Sequence, residues 1–337
     1  MRCITILLFL VGTIVYGQRS DFEHIDFTKA DSIAAHYSGA SLKNLPVLTH
    51  NLTANLPTDV EKFRAIYTWV GTNIENDYSS YVKTRKKRKK LSENQEALTA
   101  WNNSFTPKVF ENLLKHKKTA CTGYAYLIRE LASLADINCK IVNGYGRTAT
   151  LILDENSIPN HSWNIVELNG KWYLCDPTWS AGKIVIEEDG PRFEPDYFDG
   201  YFLAEPELFI RNHYPLEISA SLLENPPTFE EFIEGPVVYK EAFGASIFPI
   251  VPKKMYLEIV KNESVSFKLT SAQPIEKENT FLLLNTGGSS KEHQPKITRN
   301  GNATILQHTF DKAGRYDVHI KVNDTIIATY VIKVKRK

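Results

Sequence analysis

The sequence is poor in the patterns that bind metals, nucleic acids and membranes. Its four cysteines form no CxxC pair and its nine histidines form no cluster with metal-ligand spacing, so neither a zinc site nor any other metal or cofactor is expected. Lys and Arg total 40 against 39 for Asp and Glu, and the net charge of +1 excludes a global attraction to nucleic acid or to an anionic membrane. Beyond the first 17 residues no apolar run approaches the ~20 residues that a membrane-spanning helix needs, so no span is expected there.

What is present is an ordinary globular composition, 42% hydrophobic and 23% charged over 337 residues, enough for roughly two domains. The opening MRCITILLFLVGTIVYG has Arg2, an apolar run over residues 4–15 and a small Gly17 before Gln18, which reads as a cleaved secretory signal at residues 1–17. Cys3 precedes the apolar run and is not placed for lipidation at the cleavage point. The expected location is therefore secreted or periplasmic. Cleavage leaves Cys121, Cys139 and Cys175, an odd number where disulfides are permitted, so one thiol stays free.

Thr58 and Glu61 form a capping box ahead of Val60, Phe63, Tyr67, Val70 and Ile74, whose spacing predicts an amphipathic helix that also carries Trp69. After Tyr81 comes KTRKKRKK, then a polar stretch to about Phe105. Self-repulsion predicts a solvated loop, with contact to an anionic envelope or extracellular polymer, or to an acidic substrate, as the alternative. In TACTGYAYLIRELASLA the apolar stripe Leu127, Ile128, Leu131, Leu134 and Ala135 predicts a buried helix with Cys121 in or just before its first turn. There, unpaired backbone N–H groups and the positive end of the helix dipole favour the thiolate, the reactive form of cysteine.

HSWNIVELNGKWYLCDPTW reads as two strands joined by Asn169-Gly170, the strongest short hairpin signal. A two-residue turn pairs Leu168 with Lys171 and, counted back, sets Asp176 opposite Trp163 and Thr178 opposite His161. His161 and Asp176 are then diagonal neighbours on one face, roughly 7 to 8 Å apart at Cα, within reach of an imidazole-carboxylate hydrogen bond. Ile165, Leu174 and Trp172 share that face, which is expected to pack on the Cys121 helix. Cys175 points the other way, as a packed thiol or in a disulfide with Cys139.

CTGYA at Cys121, HSWN at His161 and DPTW at Asp176 resemble, in that order, the three motifs of the transglutaminase-like superfamily of papain-like cysteine enzymes. EKFRAIYTWVGTNIENDY and FLAEPELFIRNHYP are similar to the segments flanking those motifs in secreted bacterial members and in the kyphoscoliosis peptidase branch. The resemblance spans roughly residues 27–215. It implies an α+β fold in which a helical half delivers the cysteine to an antiparallel sheet carrying the histidine and aspartate. It also implies chemistry on protein or peptide amides: a Cys121 thiolate, His161 holding the proton and Asp176 orienting the imidazole, through a thioester acyl-enzyme. The Cys121 backbone N–H would serve the oxyanion; Trp69 is a core aromatic or a family-prompted second donor, and Trp179 and Tyr124 either line the substrate cleft or pack. The basic insert ahead of the cysteine helix departs from typical relatives.

Past residue 236 the runs YLEIV, SVSFKL, NTFLLL, ATILQHTF, YDVHIKV and TIIATYVIKV alternate between turn residues, which predicts an all-β immunoglobulin-like sandwich over residues 236–337 after a transglutaminase-like domain at 18–235. In DKAGRYDVHIKV, Tyr316 is placed to anchor a loop. Three functions stay open: a cysteine protease or amidase, a protein cross-linking acyltransferase, and a catalytically silent binding or scaffold protein.

Overall fold

The computed structural model describes residues 18–151 and 153–336, so the expected signal at residues 1–17 lies outside the described residues. Three helices open the chain: α1 (Thr28–His36), α2 (Leu45–Thr53) and α3 (Asp59–Asn73). The capping box starts α3 as expected, with Glu61 N donating to Thr58 Oγ1 at 3.4 Å and Thr58 N donating to Glu61 Oε2 at 3.2 Å. Its apolar positions Val60, Phe63, Tyr67 and Val70 are buried. Among them sits Arg64, only 6% exposed. Its guanidinium donates to both oxygens of Asp31 on α1, at 2.6 and 2.9 Å, pairs with Asp199, and lies over the rings of Phe27 and Phe202.

The chain continues through β1 (Glu75–Asn76), α4 (Tyr78–Leu91), α5 (Gln95–His116), β2 (Lys118–Thr119) and α6 (Cys121–Leu134), with β1 and β2 paired in parallel. The basic run is therefore not the solvated loop expected from its charge. Lys and Arg are strong helix formers. Asp77 caps α4 by accepting from Ser80 N at 2.9 Å, and Arg88, Lys89 and Lys90 sit in the last turn, where the dipole favours cations. No α4 residue is buried, so its charges stay hydrated. On α6, Leu127, Ile128 and Leu131 are buried, but Leu134, in the last position, is 44% exposed.

The central sheet has the order β5-β4-β3-β8, formed by β3 (Cys139–Gly146), β4 (His161–Leu168), β5 (Lys171–Cys175) and β8 (His213–Pro215), all antiparallel. The hairpin register is the expected one, from Leu168 opposite Lys171 to Asn164 opposite Cys175, with Asn169 and Gly170 at φ +52° and +76° in the turn. Pairing stops there. Asp176 caps the short helix α7 (Pro177–Ala181), so Thr178 is helical and does not lie opposite His161. A second hairpin, β6 (Gly182–Glu187) with β7 (Gly190–Pro195), follows.

The remaining strands are β9 (Val237–Val238), β10 (Ile247–Val251), β11 (Tyr256–Val260), β12 (Ser264–Ser271), β13 (Thr280–Asn285), β14 (Ser290–His293), β15 (Lys296–Asn300), β16 (Ala303–Thr309), β17 (Gly314–Val322) and β18 (Thr325–Lys335). They form one sheet of order β10-β12-β16-β15 and another of order β11-β18-β17-β13-β14, with β9 on β18. Tyr316 Oη donates to Lys312 O at 2.9 Å, so the tyrosine anchors its loop as expected.

Two cores cover the two faces of the central sheet, and they reverse one expectation. Val166, Leu168, Tyr173 and Cys175 pack with α3 and α6. Trp163, Ile165 and Leu174, on the His161 face, pack instead with Phe267, Leu269, Leu306, Ile320 and Tyr330 of the C-terminal strands. The molecule is α+β, with helices on one face of this sheet and a β-rich C-terminal region on the other. Among the described residues no helix is long and apolar enough to cross a membrane.

Arg64→Met leaves Asp31 and Asp199 without their shared cation. Because those carboxylates keep some contact with water, the expected loss is about 2–4 kcal/mol of unfolding free energy. Urea denaturation checks it; an unchanged midpoint would show that the pairing is not what holds α1 on α3.

Candidate active site

Each of the three motif residues stands at the end of an element. Cys121 is the first residue of α6, His161 the first of β4, and Asp176 the cap that ends β5 and begins α7. Pro177 at the first helical position stops the strand and starts the helix, which leaves the Asp176 side chain free to cap. Its Oδ1 accepts from Thr178 N at 2.8 Å and Trp179 N at 3.3 Å, while its Oδ2 meets His161 Nε2 at 2.7 Å. The other imidazole nitrogen is thereby left for the Cys121 thiol, to which His161 is hydrogen-bonded. All three groups are buried, Asp176 completely.

A fourth group, unmarked in the sequence reading, joins them. His213 Nε2 lies 3.0 Å from the same Asp176 Oδ2, and its Nδ1 lies 2.6 Å from Asn212 Oδ1. The ring is stacked on Phe209 at 3.9 Å and tilted against Trp179 at 4.3 Å. It reaches the site because the three-residue β8 pairs with β3 across Gly144, where a Cβ would stand 2.1 Å from Tyr214 O. That close approach requires glycine. A lone histidine in FIRNHYP carries no spacing signal of its own, so only the tertiary pairing exposes its role.

The ligand atoms of His161, Asp176 and His213 lie within 4.8 Å of one another. Their 2.7 and 3.0 Å separations are hydrogen-bond lengths, with two rings sharing one carboxylate oxygen, and the arrangement serves to hold His161 rather than to present open lone pairs.

The electrostatics follow from this burial. Burial works against a charged His161, but the Asp176 carboxylate and the hydrogen bonds to Asp176 and Cys121 outweigh it and lift the imidazole to about 10. Burial also opposes a Cys121 thiolate, yet the His161 hydrogen bond and charge, with the Ser162 backbone N–H, bring the thiol below its ordinary value. Asp176 is held well below the usual carboxylate range, because His161 and His213 overcome its burial. His213 moves the other way: burial outweighs Asp176 and lowers it to about 4, so the ring is neutral, its one N–H at Nε2 donating to Asp176 and its Nδ1 accepting from the Asn212 amide, whose NH2 end then takes the 2.6 Å position. The arrangement favours the thiolate of Cys121 beside a His161 imidazolium that Asp176 and His213 brace from behind.

The remaining expectations divide. Trp179 lines the cleft and packs against the His161 ring at 5.3 Å. Tyr124 does not line it: it is fully buried and its hydroxyl donates to Ile74 O at 2.5 Å, tying α6 to the end of α3. Trp69 is no oxyanion donor, since its buried indole N–H donates to Tyr37 O at 2.7 Å. Cys121, Cys139 and Cys175 are all free thiols. Cys139 and Cys175 sit on β3 and β5 with β4 between them, opposite Val166 and Asn164, so they are at least the roughly 9.5 Å of two strand spacings apart, beyond disulfide reach. Burial pushes Cys139 up to about 12 and Cys175 well above its ordinary value.

A family model of the transglutaminase-like superfamily matches residues 46–177, a segment that contains Cys121, His161 and Asp176. Residues 46–177 thus form a transglutaminase-like domain. It is similar to the kyphoscoliosis peptidases of Homo sapiens and Mus musculus, each 26% identical over 303 residues, 85% of this chain and 42% of the relative. Hillarin of Drosophila melanogaster is 26% identical over 246 residues, 66% of this chain and 28% of that protein. The chain thus spans under half the length of these curated relatives. His213 lies outside the matched segment, beyond its last residue.

Two outcomes are expected. Cys121 is alkylated by iodoacetamide at pH 6–7 faster than a model thiol, while Cys139 and Cys175 stay unmodified until unfolding, and His161→Ala slows the Cys121 reaction about tenfold or more. Peptide mass mapping against time checks this, and equal rates in the two proteins would dissolve the ion pair. The second outcome concerns stability. Between pH 6.5 and about 4 the unfolded chain takes up a proton at His213 that the folded protein does not, so the His213 contribution to stability is full above 6.5 and about 3 kcal/mol of it is lost as pH drops through this window. His161 is protonated in both states there and adds nothing to the slope. Denaturant titrations across that window should show the slope flattened in His213→Gln.

Proposed function

We propose that the protein is an exported cysteine protease or amidase acting on protein or peptide amides. The observation that carries the reading is the Cys121 thiol set against a buried His161 that is itself held by a buried Asp176, at the wall of a cleft of about 620 Å³. The Cys121 thiolate attacks the amide carbonyl and forms the C–S bond. His161, already protonated, gives its proton to the leaving amine as the C–N bond breaks. The product is a thioester on Cys121. Water, deprotonated by His161, then attacks the thioester, and the thiolate leaves as the acid is released. Asp176 keeps the imidazole in one tautomer throughout. The Cys121 backbone N–H, at the start of α6, is unpaired within its helix and faces the developing oxyanion.

The same centre transfers the acyl group to an amine when an amine reaches the thioester first, so hydrolysis and cross-linking differ only in the acceptor. The peptidase names of the human and mouse relatives favour water. Export through a leader at residues 1–17, an enzyme domain at 18–235 and an immunoglobulin-like binding or spacing domain at 236–337 complete the proposal. They are supported by the apolar N-terminal run and by the Tyr316 anchor between packed β-sheets.

The deciding experiment profiles peptide cleavage and amine incorporation by the mature protein beside Cys121→Ser. The expected loss in Cys121→Ser is at least about a thousandfold. Wild-type turnover should hold a plateau at neutral pH and decline as His161 loses its proton near 10. Equal activity in the two proteins would remove the catalytic reading, and amine incorporation without cleavage would move it to acyl transfer.

A further inference from the structure

We propose that the cleft is selective for acidic substrates: a peptide or protein segment carrying Asp or Glu side chains beside the amide that Cys121 attacks. The proposal rests on the acyl-transfer reading above and adds the substrate class. Its basis is the position of α4, which carries seven Lys and Arg and no acidic residue, and which forms one wall of the site.

Two cavities flank the start of α6, and Ala120 borders both. Into the larger, which holds Cys121 and His161, α4 projects Tyr78, Tyr81 and Arg85. The smaller, about 380 Å³, receives Lys83 and Arg88 from α4, Lys108 from α5 and Lys118 from β2. Tyr81 ties the helix to the chemistry. Burial raises its phenol above the ordinary value, and it responds both to the Arg85 guanidinium and to the Cys121 thiol.

The ion-pair bookkeeping separates structural cations from available ones. Around the larger cavity Lys183 pairs with Glu194 at 2.9 Å, Lys240 pairs with Asp196 at 2.7 Å, and Arg147 donates to the Phe232, Gly235 and Pro236 carbonyls at 2.6–3.2 Å. Around the smaller, Lys118 reaches Glu75 at 3.8 Å, and the one lining carboxylate, Asp77, is spent on Ser79 and Ser80 at the cap of α4. Arg85, Lys83, Arg88 and Lys108 have no acidic partner among the described residues. Of these four uncompensated cations, Arg85 lines the cleft that holds Cys121, and the other three line the neighbouring cavity on the far side of Ala120. The net charge of the whole chain is only +1, so the positive field is local to this wall and not the extended surface that a long polyanion needs.

The test uses the full chain and a positional library of fluorogenic peptides bearing Glu, Gln or Lys at each site. The expected result is a kcat/KM about fivefold higher for Glu than for Gln at positions lying against α4, carried by KM and weakened as salt is raised. Arg85→Ala combined with Lys83→Ala and Arg88→Ala should erase the preference, Arg85→Glu should turn it towards Lys, and Arg85→Lys should keep it. Lys86→Ala and Lys90→Ala, at residues that line neither cavity, should leave it unchanged. Wild-type indifference to Glu against Gln, or a preference that survives the triple substitution, overturns the proposal.

A binding arm separates this from failure of the chemistry. Cys121→Ser is titrated with labelled Glu-rich and Gln-rich peptides by fluorescence anisotropy. Glu-selective binding without turnover of any peptide by the wild type would sink the enzyme reading and keep the acidic preference, whereas equal binding would sink the preference alone. Competition by a DNA oligonucleotide or a sulfated oligosaccharide as strong as by the Glu-rich peptide would overturn the assignment to peptides.

Discussion

An ionised carboxylate with no solvent contact is the constraint on which this molecule turns. Asp176 stays charged inside the protein only because four N–H donors converge on it: two backbone amides of α7 and the Nε2 atoms of His161 and His213. A buried carboxylate lacking such partners costs several kcal/mol. Strand β5 must therefore end at Cys175, α7 must begin at Pro177, β4 must present His161 in the observed register, and β8 must dock beside β3. The Cys121 thiol inherits this arrangement, since the imidazole that lowers it is itself held by Asp176.

The site stands where the two cores of the protein meet. Helices pack on one face of the central sheet and the C-terminal strands on the other, with Trp163, Ile165 and Leu174 shared with Phe267 and Tyr330. The C-terminal half is consequently part of the site's architecture. Val237, Val238, Tyr239 and Lys240 line the same cleft as Cys121, so the shape of that cleft depends on how the β-rich region sits against the sheet.

Helix α4 illustrates how charge patterning misleads when it is read without neighbours. Its lysines and arginines repel one another, which argues for a loop, yet each is also a good helix former. An Asp77 cap, a favourable C-terminal dipole and paired Tyr78 and Tyr81 rings, 5.8 Å apart, tip the balance. A solvated helix beside Cys121 is a different object from a solvated loop, because it holds Arg85 at a fixed place in the cleft.

The amino-acid sequence by itself determined the local features: the capping box at Thr58, Cys121 at the mouth of an amphipathic helix, and the Asn169-Gly170 turn that sets His161 and Asp176 within reach. Each depends on residues a few positions apart, whose conformational preferences are intrinsic. Tertiary structure alone decided which face of the sheet meets which core, that Tyr124 and Trp69 are consumed as packing groups, and that His213 completes the support of Asp176. Those outcomes rest on contacts between segments far apart in the chain, where alternation shows that a face is apolar and is silent about its partner.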